Sequence, residues 1–117
     1  MRHLKDHRKL GRSSSPRRAL LRSLATSFFL KSKIETTQQK ALEAQRTVER
    51  LIAKATHKDL ATQRLVYAFL LDKEAGQRLY TTIIPKVGDR KGGYTRVVKT
   101  GKRRGDGAAM AILELVE

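Results

Sequence analysis

The stretch that decides the fold reads Tyr94-Thr95-Arg96-Val97-Val98-Lys99-Thr100, and a second apolar stretch, AMAILELV, follows it over residues 109–116. β-Branched and aromatic residues between glycine-rich flanks are typical of a strand. The second stretch is nearly apolar on both faces, which predicts a buried strand. Residues 101–107, GKRRGDG, are predicted to form a flexible basic connection. Together these segments predict a β-hairpin with a long loop.

Four segments upstream of the hairpin carry apolar residues at a helical period. The predicted helices run from 16 to about 31, and over about 37–55, 60–70 and 73–83. Leu20, Leu21, Leu24, Ala25 and Phe28 form the apolar face of the first helix. A short extended piece around Ile34 separates the first two helices.

Local start and stop signals support these helices. Ser15 before Pro16 predicts the first start, and the spacing of Thr36 and Gln39 resembles a capping box. Asp59 and Asp72 are predicted to cap the third and fourth helices, Gly76 is a weak point of the fourth, and Pro85 is expected to stop it.

The charge of the chain is concentrated in two segments. The 117 residues hold 26 Lys and Arg against 11 Asp and Glu, a formal net charge of +15, while 39% of residues are hydrophobic, as in a folded domain. The net charge is +9 over residues 1–33 and +6 over 84–107, so the remainder is neutral. We expect an extended basic tail over 1–15 and a single domain over 16–117 that carries a basic loop region over 84–107.

Composition excludes several classes of protein. The chain has no Cys, so disulfides and thiolate metal sites are excluded, and no apolar run is long enough to span a membrane. His3 and His7 are four residues apart, but without further ligands they do not predict a metal site. The carboxylates do not cluster: Glu35, Glu43 and Glu49 are interpreted as solvated partners of nearby cations. We therefore predict no enzyme activity, no metal and no cofactor.

The basic segments favour a nucleic-acid partner, because Lys and Arg that neutralise phosphates supply most sequence-independent affinity. Extended basic arms suit folded RNA, whereas a DNA-binding or nucleoid-type architectural protein is the alternative. The Arg-rich, acid-poor opening also fits an organellar transit peptide, although removing 1–33 would delete a well-capped helix. The candidate RNA-binding residues are Arg2, His3, Lys5, His7, Arg8, Lys9, Arg12, Ser13, Ser14, Arg17, Arg18, Arg22, Arg90, Lys91, Tyr94, Arg96, Lys99, Lys102, Arg103 and Arg104.

Several strings in the chain resemble the bacterial large-subunit ribosomal protein family numbered seventeen, and the resemblance is colinear over essentially the whole chain. Pro16 and Ala109 depart from it, since relatives usually have His and often Pro there, so no RNA contact of that His is carried to position 16. The matching strings are Met1-Arg2-His3, Arg8-Lys9-Leu10-Gly11-Arg12 with Ser13-Ser14, Lys33-Ile34-Glu35-Thr36-Thr37, Asp72-Lys73-Glu74-Ala75, Gly92-Gly93-Tyr94-Thr95-Arg96, Arg104-Gly105-Asp106 and Met110-Ala111-Ile112-Leu113-Glu114-Leu115-Val116.

The resemblance implies a structural constituent of the large subunit that binds large-subunit ribosomal RNA in the cytoplasm, as a monomer within the ribosome. It implies ribosomal proteins twenty-two and thirty-two of that subunit as neighbours. It also implies a compact α+β domain ordered helix, strand, three helices, two strands. The strand around Ile34 should then join the hairpin in a small three-stranded sheet packed on the helices.

Overall fold

The computed structural model describes residues 14–57, 59–87 and 90–116, with the backbone alone for Ser14. Residues 1–13 of the predicted tail lie outside this range, and residues 14 and 15 belong to the first helix. The elements in chain order are α1 (Ser14–Lys31), β1 (Lys33–Thr37), α2 (Gln38–Ala55), α3 (Leu60–Phe69), α4 (Lys73–Arg78), a π-helical turn (Leu79–Ile83), α5 (Ile84–Val87), β2 (Thr95–Lys102) and β3 (Ala109–Leu115).

The three strands form one antiparallel sheet in the order β1-β3-β2. Ile34 of β1 pairs with Leu113 of β3, and Val97 of β2 pairs with the same residue from the other side. The predicted α+β class, the order of the elements and the joining of the Ile34 strand to the hairpin are confirmed.

One face of the sheet packs on the helices, and this corrects the prediction for β3. Ala111, Leu113 and Leu115 are buried against the helices, but Ile112 and Glu114 on the opposite face are half-exposed. β3 is central in the sheet, and its outer face is not fully covered by the residues that the structure describes.

The first strand of the hairpin extends further than predicted. β2 continues to Lys102 through a register shift between Lys99 and Gly101, whose φ of 119° suits glycine. The connection predicted over 101–107 therefore begins as strand, and the turn itself starts at Arg103. Within the basic loop region predicted over 84–107, the first four residues are helical as α5, and β2 lies where the strand over 94–100 was predicted.

The fourth helix does not stop before Pro85. A π-helical turn follows α4, in which the Ile84 N–H donates to the Leu79 carbonyl, and α5 then continues to Val87. A proline ring clashes with the carbonyl four residues earlier in a regular α-helix. The wider π turn directly before Pro85 makes room for the ring, so the chain stays helical.

Two of the four predicted helix starts are confirmed, and two are wrong. Asp59 accepts from the Thr62 N–H at 3.2 Å and Asp72 from the Glu74 N–H at 2.8 Å, so both predicted caps are confirmed. The capping box is wrong: Thr36 lies in β1, and Thr37 precedes α2 with no side-chain capping bond. The start assigned to Ser15 is also wrong, because α1 already includes Ser14, and Pro16 is tolerated in its first turn.

The core lies between the sheet and the helices. Phe28 and Phe29 of α1 meet edge to face, with ring centroids 5.6 Å apart. They belong to one buried cluster with Ile52 of α2, Leu79 of the π turn and Leu113 of β3. This cluster packs the sheet against the helix layer, so the hairpin extends from a well-packed part of the domain.

Candidate nucleic-acid interface

The exposed cations of the hairpin follow the second strand and its turn. Arg96, Lys99 and Lys102 are exposed along β2, and Arg104 is exposed in the turn. Arg90 and Lys91 are exposed in the segment that leads into the strand. The structure thus brings six of the predicted residues onto one continuous β-ribbon and its approach.

The base of this ribbon is held by a carboxylate of α2. Glu49 accepts from the Tyr94 N–H at 3.2 Å, the Thr95 N–H at 2.7 Å and the Thr95 hydroxyl at 2.6 Å. Gln45, one turn earlier, donates from Nε2 to the Thr95 carbonyl at 3.3 Å. Bonds to a charged acceptor are stronger than neutral ones, so the start of β2 is fixed on α2.

Two of the carboxylates interpreted as solvated are built into the fold. Glu49 anchors β2, and Glu43 is buried at 3% exposure, with an Oε1 oxygen 3.9 Å from Arg46. Glu49 could have been recognised from its spacing in α2. Gln45 and Glu49 are one turn apart and lie beside Val48, at the margin of the apolar stripe of the helix. Glu35 is exposed, as predicted, and accepts from the Thr100 hydroxyl at 3.3 Å.

The hairpin turn is closed by an ion pair. Arg103 donates from Nε to Oδ1 of Asp106 at 3.1 Å and from Nη2 to Oδ2 at 2.6 Å. Asp106 also accepts from the Ala108 N–H at 3.1 Å. The hydrogen bond from Arg103 and that from the Ala108 amide lower the pKa of Asp106 from 3.8 to about 2, and the same pair raises the pKa of Arg103.

A second ion pair lies at the other end of the ribbon. Nη2 of Arg96 is 3.5 Å from Oε2 of Glu114 on the neighbouring strand, and the arginine side chain remains 61% exposed. An exposed pair of this length is weak. Arg96 can therefore exchange this partner for a phosphate.

The basic residues at the start of α1 differ in their surroundings. Arg18 is exposed, and Arg17 is half-buried. Arg22 donates from Nε to the Phe69 carbonyl at 2.6 Å and from Nη2 to the Ala68 carbonyl at 3.0 Å, with its guanidinium 5.7 Å from the Phe69 ring centroid. Arg22 thus binds the last carbonyls of α3, which gives it a role inside the domain.

Tyr94 is placed in the core. Its side chain is 5% exposed and belongs to the buried cluster, so its ring is not available to stack on a base. Sequence analysis placed Tyr94 among the candidate RNA-binding residues, whereas the structure places it directly before β2, with its side chain in the core. Its backbone N–H is also used, by Glu49.

Most of the predicted contacts of the tail lie outside the described residues. Those at 2, 3, 5, 7, 8, 9, 12 and 13 lie outside the described residues, and the side chain of Ser14 is not described. Within 14–57, 59–87 and 90–116, no group of three His, Asp or Glu side chains is arranged to hold a metal ion. No helix in the part of the chain that the structure describes is long and apolar enough to cross a membrane.

The described chain is thus a small α+β domain whose hairpin presents a row of exposed cations, an arrangement that is typical of polyanion-binding domains. The comparisons then specify the family. The family model described as ribosomal protein L17 matches residues 20–116. The chain belongs to the ribosomal protein L17 family, which consists of structural ribosomal proteins and not of enzymes.

Curated relatives align over nearly the whole chain. The large ribosomal subunit protein bL17 of Campylobacter lari is 52% identical over 116 residues, 99% of each chain. The bL17 protein of Campylobacter jejuni is also 52% identical with the same coverage. That of Wolinella succinogenes is 49% identical over 99% of this chain and 100% of its own. The suspected family is thus confirmed, and the alignments include nearly all of the basic opening segment.

Proposed function

We propose that this protein is a structural constituent of the large ribosomal subunit in the cytoplasm, where it binds and helps to organise large-subunit ribosomal RNA. Family membership and the printed names of the relatives support the subunit. The observation that carries the RNA contact is the ribbon: exposed Lys and Arg on a strand whose base is fixed by Glu49. A rigid ribbon binds with little loss of conformational freedom.

On this proposal the ribbon contacts phosphates and does not read bases. Lys99, Lys102 and Arg104 are exposed cations at the far end of the hairpin, and Arg90 and Lys91 are exposed near its base. Phosphate contacts fix the register of a protein on RNA, whereas specificity for folded RNA comes mainly from shape.

The tail residues from Arg2 to Ser14, with Arg17 and Arg18, form a second proposed contact region. They hold seven Lys and Arg against one Asp, and they lie before the domain and in the first turns of α1. Two cationic regions on one neutral body can hold two RNA segments in a fixed arrangement. Proteins twenty-two and thirty-two of the same subunit are the proposed neighbours of this monomer.

Salt-dependent binding tests the mechanism. With six to ten phosphates engaged, raising salt from about 50 to 200 mM should weaken binding of the purified protein to large-subunit RNA by roughly 10³–10⁵-fold. A nearly flat salt dependence contradicts it. Equal competition by duplex DNA at the same salt supports the alternative of a DNA-binding architectural protein, and co-sedimentation of the tagged protein with large subunits supports the ribosomal role.

A further inference from the structure

We propose that Arg103 is a positioning residue of the ribbon and not one of its phosphate contacts: with Asp106 it forms a clasp that holds the hairpin turn in its RNA-binding shape. The inference rests on the proposed function, and it divides the three consecutive cations of the turn. Lys102 and Arg104 bind phosphate, and Arg103 holds the backbone between them.

The first support is the geometry of the pair. Asp106 receives Nε and Nη2 of Arg103 at 3.1 and 2.6 Å. These two groups form the side-on edge of the guanidinium, so that edge cannot grip a phosphate while the clasp is closed. The end-on edge, which consists of Nη1 and the second N–H of Nη2, belongs to a guanidinium whose charge Asp106 already neutralises.

The second support is the backbone that surrounds the pair. The Arg103 N–H donates to the Ala108 carbonyl at 2.8 Å, and the Gly107 N–H donates to the Arg103 carbonyl at 3.0 Å. The Ala108 N–H donates to Asp106 at 3.1 Å. Arg103 and Asp106 are thus bonded to the turn by both backbone and side chain, which is the arrangement of a structural clasp.

The third support is the conformation that the clasp imposes. Gly105 and Gly107 have φ values of 98° and 70°. Two glycines in the left-handed region make an intrinsically loose turn, since glycine loses the most conformational freedom on ordering. A side-chain clasp across this turn removes that freedom before RNA binds, which raises affinity without an added contact.

The fourth support is the charge balance of the turn. Lys102 and Arg104 are exposed, and Asp106 is the only acid in the described turn from Arg103 to Ala108. A carboxylate beside a phosphate site repels the ligand unless it is paired. Pairing with Arg103 neutralises it, so the turn keeps the two flanking cations for phosphate.

The test compares four variants of the full chain, Asp106→Asn, Arg103→Gln, Arg104→Gln and the double variant Arg103→Gln with Asp106→Asn. The probe is deproteinised large-subunit ribosomal RNA of Campylobacter jejuni, titrated at several salt concentrations. Thermal melts confirm that each variant is folded. Backbone NMR order parameters over residues 103–108 report the turn directly.

Electrostatic attraction alone and loss of the clasp predict opposite changes in RNA affinity for Asp106→Asn. Removing an acid should tighten RNA binding by attraction alone, whereas loss of the clasp should weaken it about 5- to 10-fold through ordering of the turn, with lower order parameters. Arg104→Gln should lower the slope of log affinity against log salt by about one. Arg103→Gln should weaken binding with that slope unchanged, and the double variant should be no weaker than either single one.

Two results would overturn the inference: unchanged or tighter binding by Asp106→Asn, or a salt slope reduced by about one in Arg103→Gln. Either result leaves the proposed function intact if Arg104→Gln still lowers the slope. The proposed function itself, and this inference with it, is contradicted if the RNA affinity of the unaltered chain does not depend on salt and Arg104→Gln binds RNA with the same affinity.

Discussion

Gly76 occupies a position in α4 where no other side chain fits. It is buried against Tyr67 of α3, and a Cβ built on it would lie 2.5 Å from Cε1 of that ring. The Tyr67 ring is itself stacked on Tyr80, with centroids 6.0 Å apart, so it cannot move freely away. The residue predicted as a weak point of the helix is therefore a contact between two helices.

Gly76→Ala should destabilise the domain although alanine is the better helix former. Overpacking against Tyr67 costs roughly 1–3 kcal/mol, and the gain in helix propensity returns about 0.5–1 kcal/mol, so a net loss of about 1–2 kcal/mol is expected in urea unfolding. Gly92→Ala is the matched control, because its Cβ would meet nothing within 4 Å. A Gly76→Ala protein as stable as the control would show that the rings rearrange.

The titration of Asp106 reports the clasp in the hairpin turn. Its pKa is lowered from 3.8 to about 2 in the folded chain. A lowered folded-state pKa means that the pair stabilises the turn above about pH 4 and loses this effect as pH falls through 2. Carboxyl ¹³C NMR should give a midpoint near pH 2, which Arg103→Gln raises toward 3.8 and Arg104→Gln leaves in place. A midpoint near 4 in the unaltered chain would show that the clasp is open in solution.

At the scale of elements, two arginines join helices by donating hydrogen bonds to backbone carbonyls near the end of a neighbouring helix. Arg22 of α1 binds the carbonyls of Ala68 and Phe69 at the end of α3. Arg78 of α4 donates to the Phe29 carbonyl at 2.9 Å and to the Ser32 hydroxyl at 3.1 Å at the end of α1. A guanidinium suits these sites because the carbonyl end of a helix is partly negative.

Arg22→Gln should therefore lower the stability of the domain, whereas Arg18→Gln should weaken RNA binding. Loss of the two Arg22 bonds should lower the free energy of unfolding by about 1–2 kcal/mol, since bonds to a charged donor are worth about 1.5–3 kcal/mol when shielded and Arg22 is only half-buried. Arg18 is exposed, so its change should leave the melting temperature unaltered and weaken RNA binding. A stable Arg22→Gln protein with a reduced salt slope would instead identify Arg22 as a phosphate contact.

The elements that sequence predicted well are those with local signals. Asp59 and Asp72 cap their helices, and the β-branched residues around Val97 form the predicted strand, because capping and strand propensity depend on a few neighbouring residues. Pro85 was misjudged because the π turn that accommodates it has no local signature. Tyr94 and Glu49 were misjudged because their partners lie about 45 residues away in the chain.

At the scale of the whole molecule, the division into a neutral body and two basic regions explains which changes should separate folding from binding. The family model begins at residue 20, past the basic opening, and the described core is built from α1 onward. Deleting residues 1–12 should thus leave the melting temperature of the domain nearly unchanged and weaken binding to large-subunit RNA. Collapse of the thermal transition in the truncated chain would show that the opening segment contributes to the core.

The central place of β3 also has a consequence for synthesis. β1 and β2 both pair with β3 and not with each other, and β3 is translated after every other described element. Until residues 109–115 leave the ribosome that makes them, the helices can form locally, but the earlier strands have no native partner. Sheet formation is then a late, long-range step, and topologies of this kind fold slowly relative to helical ones. The last strand of the chain therefore sets when a new copy becomes competent for assembly.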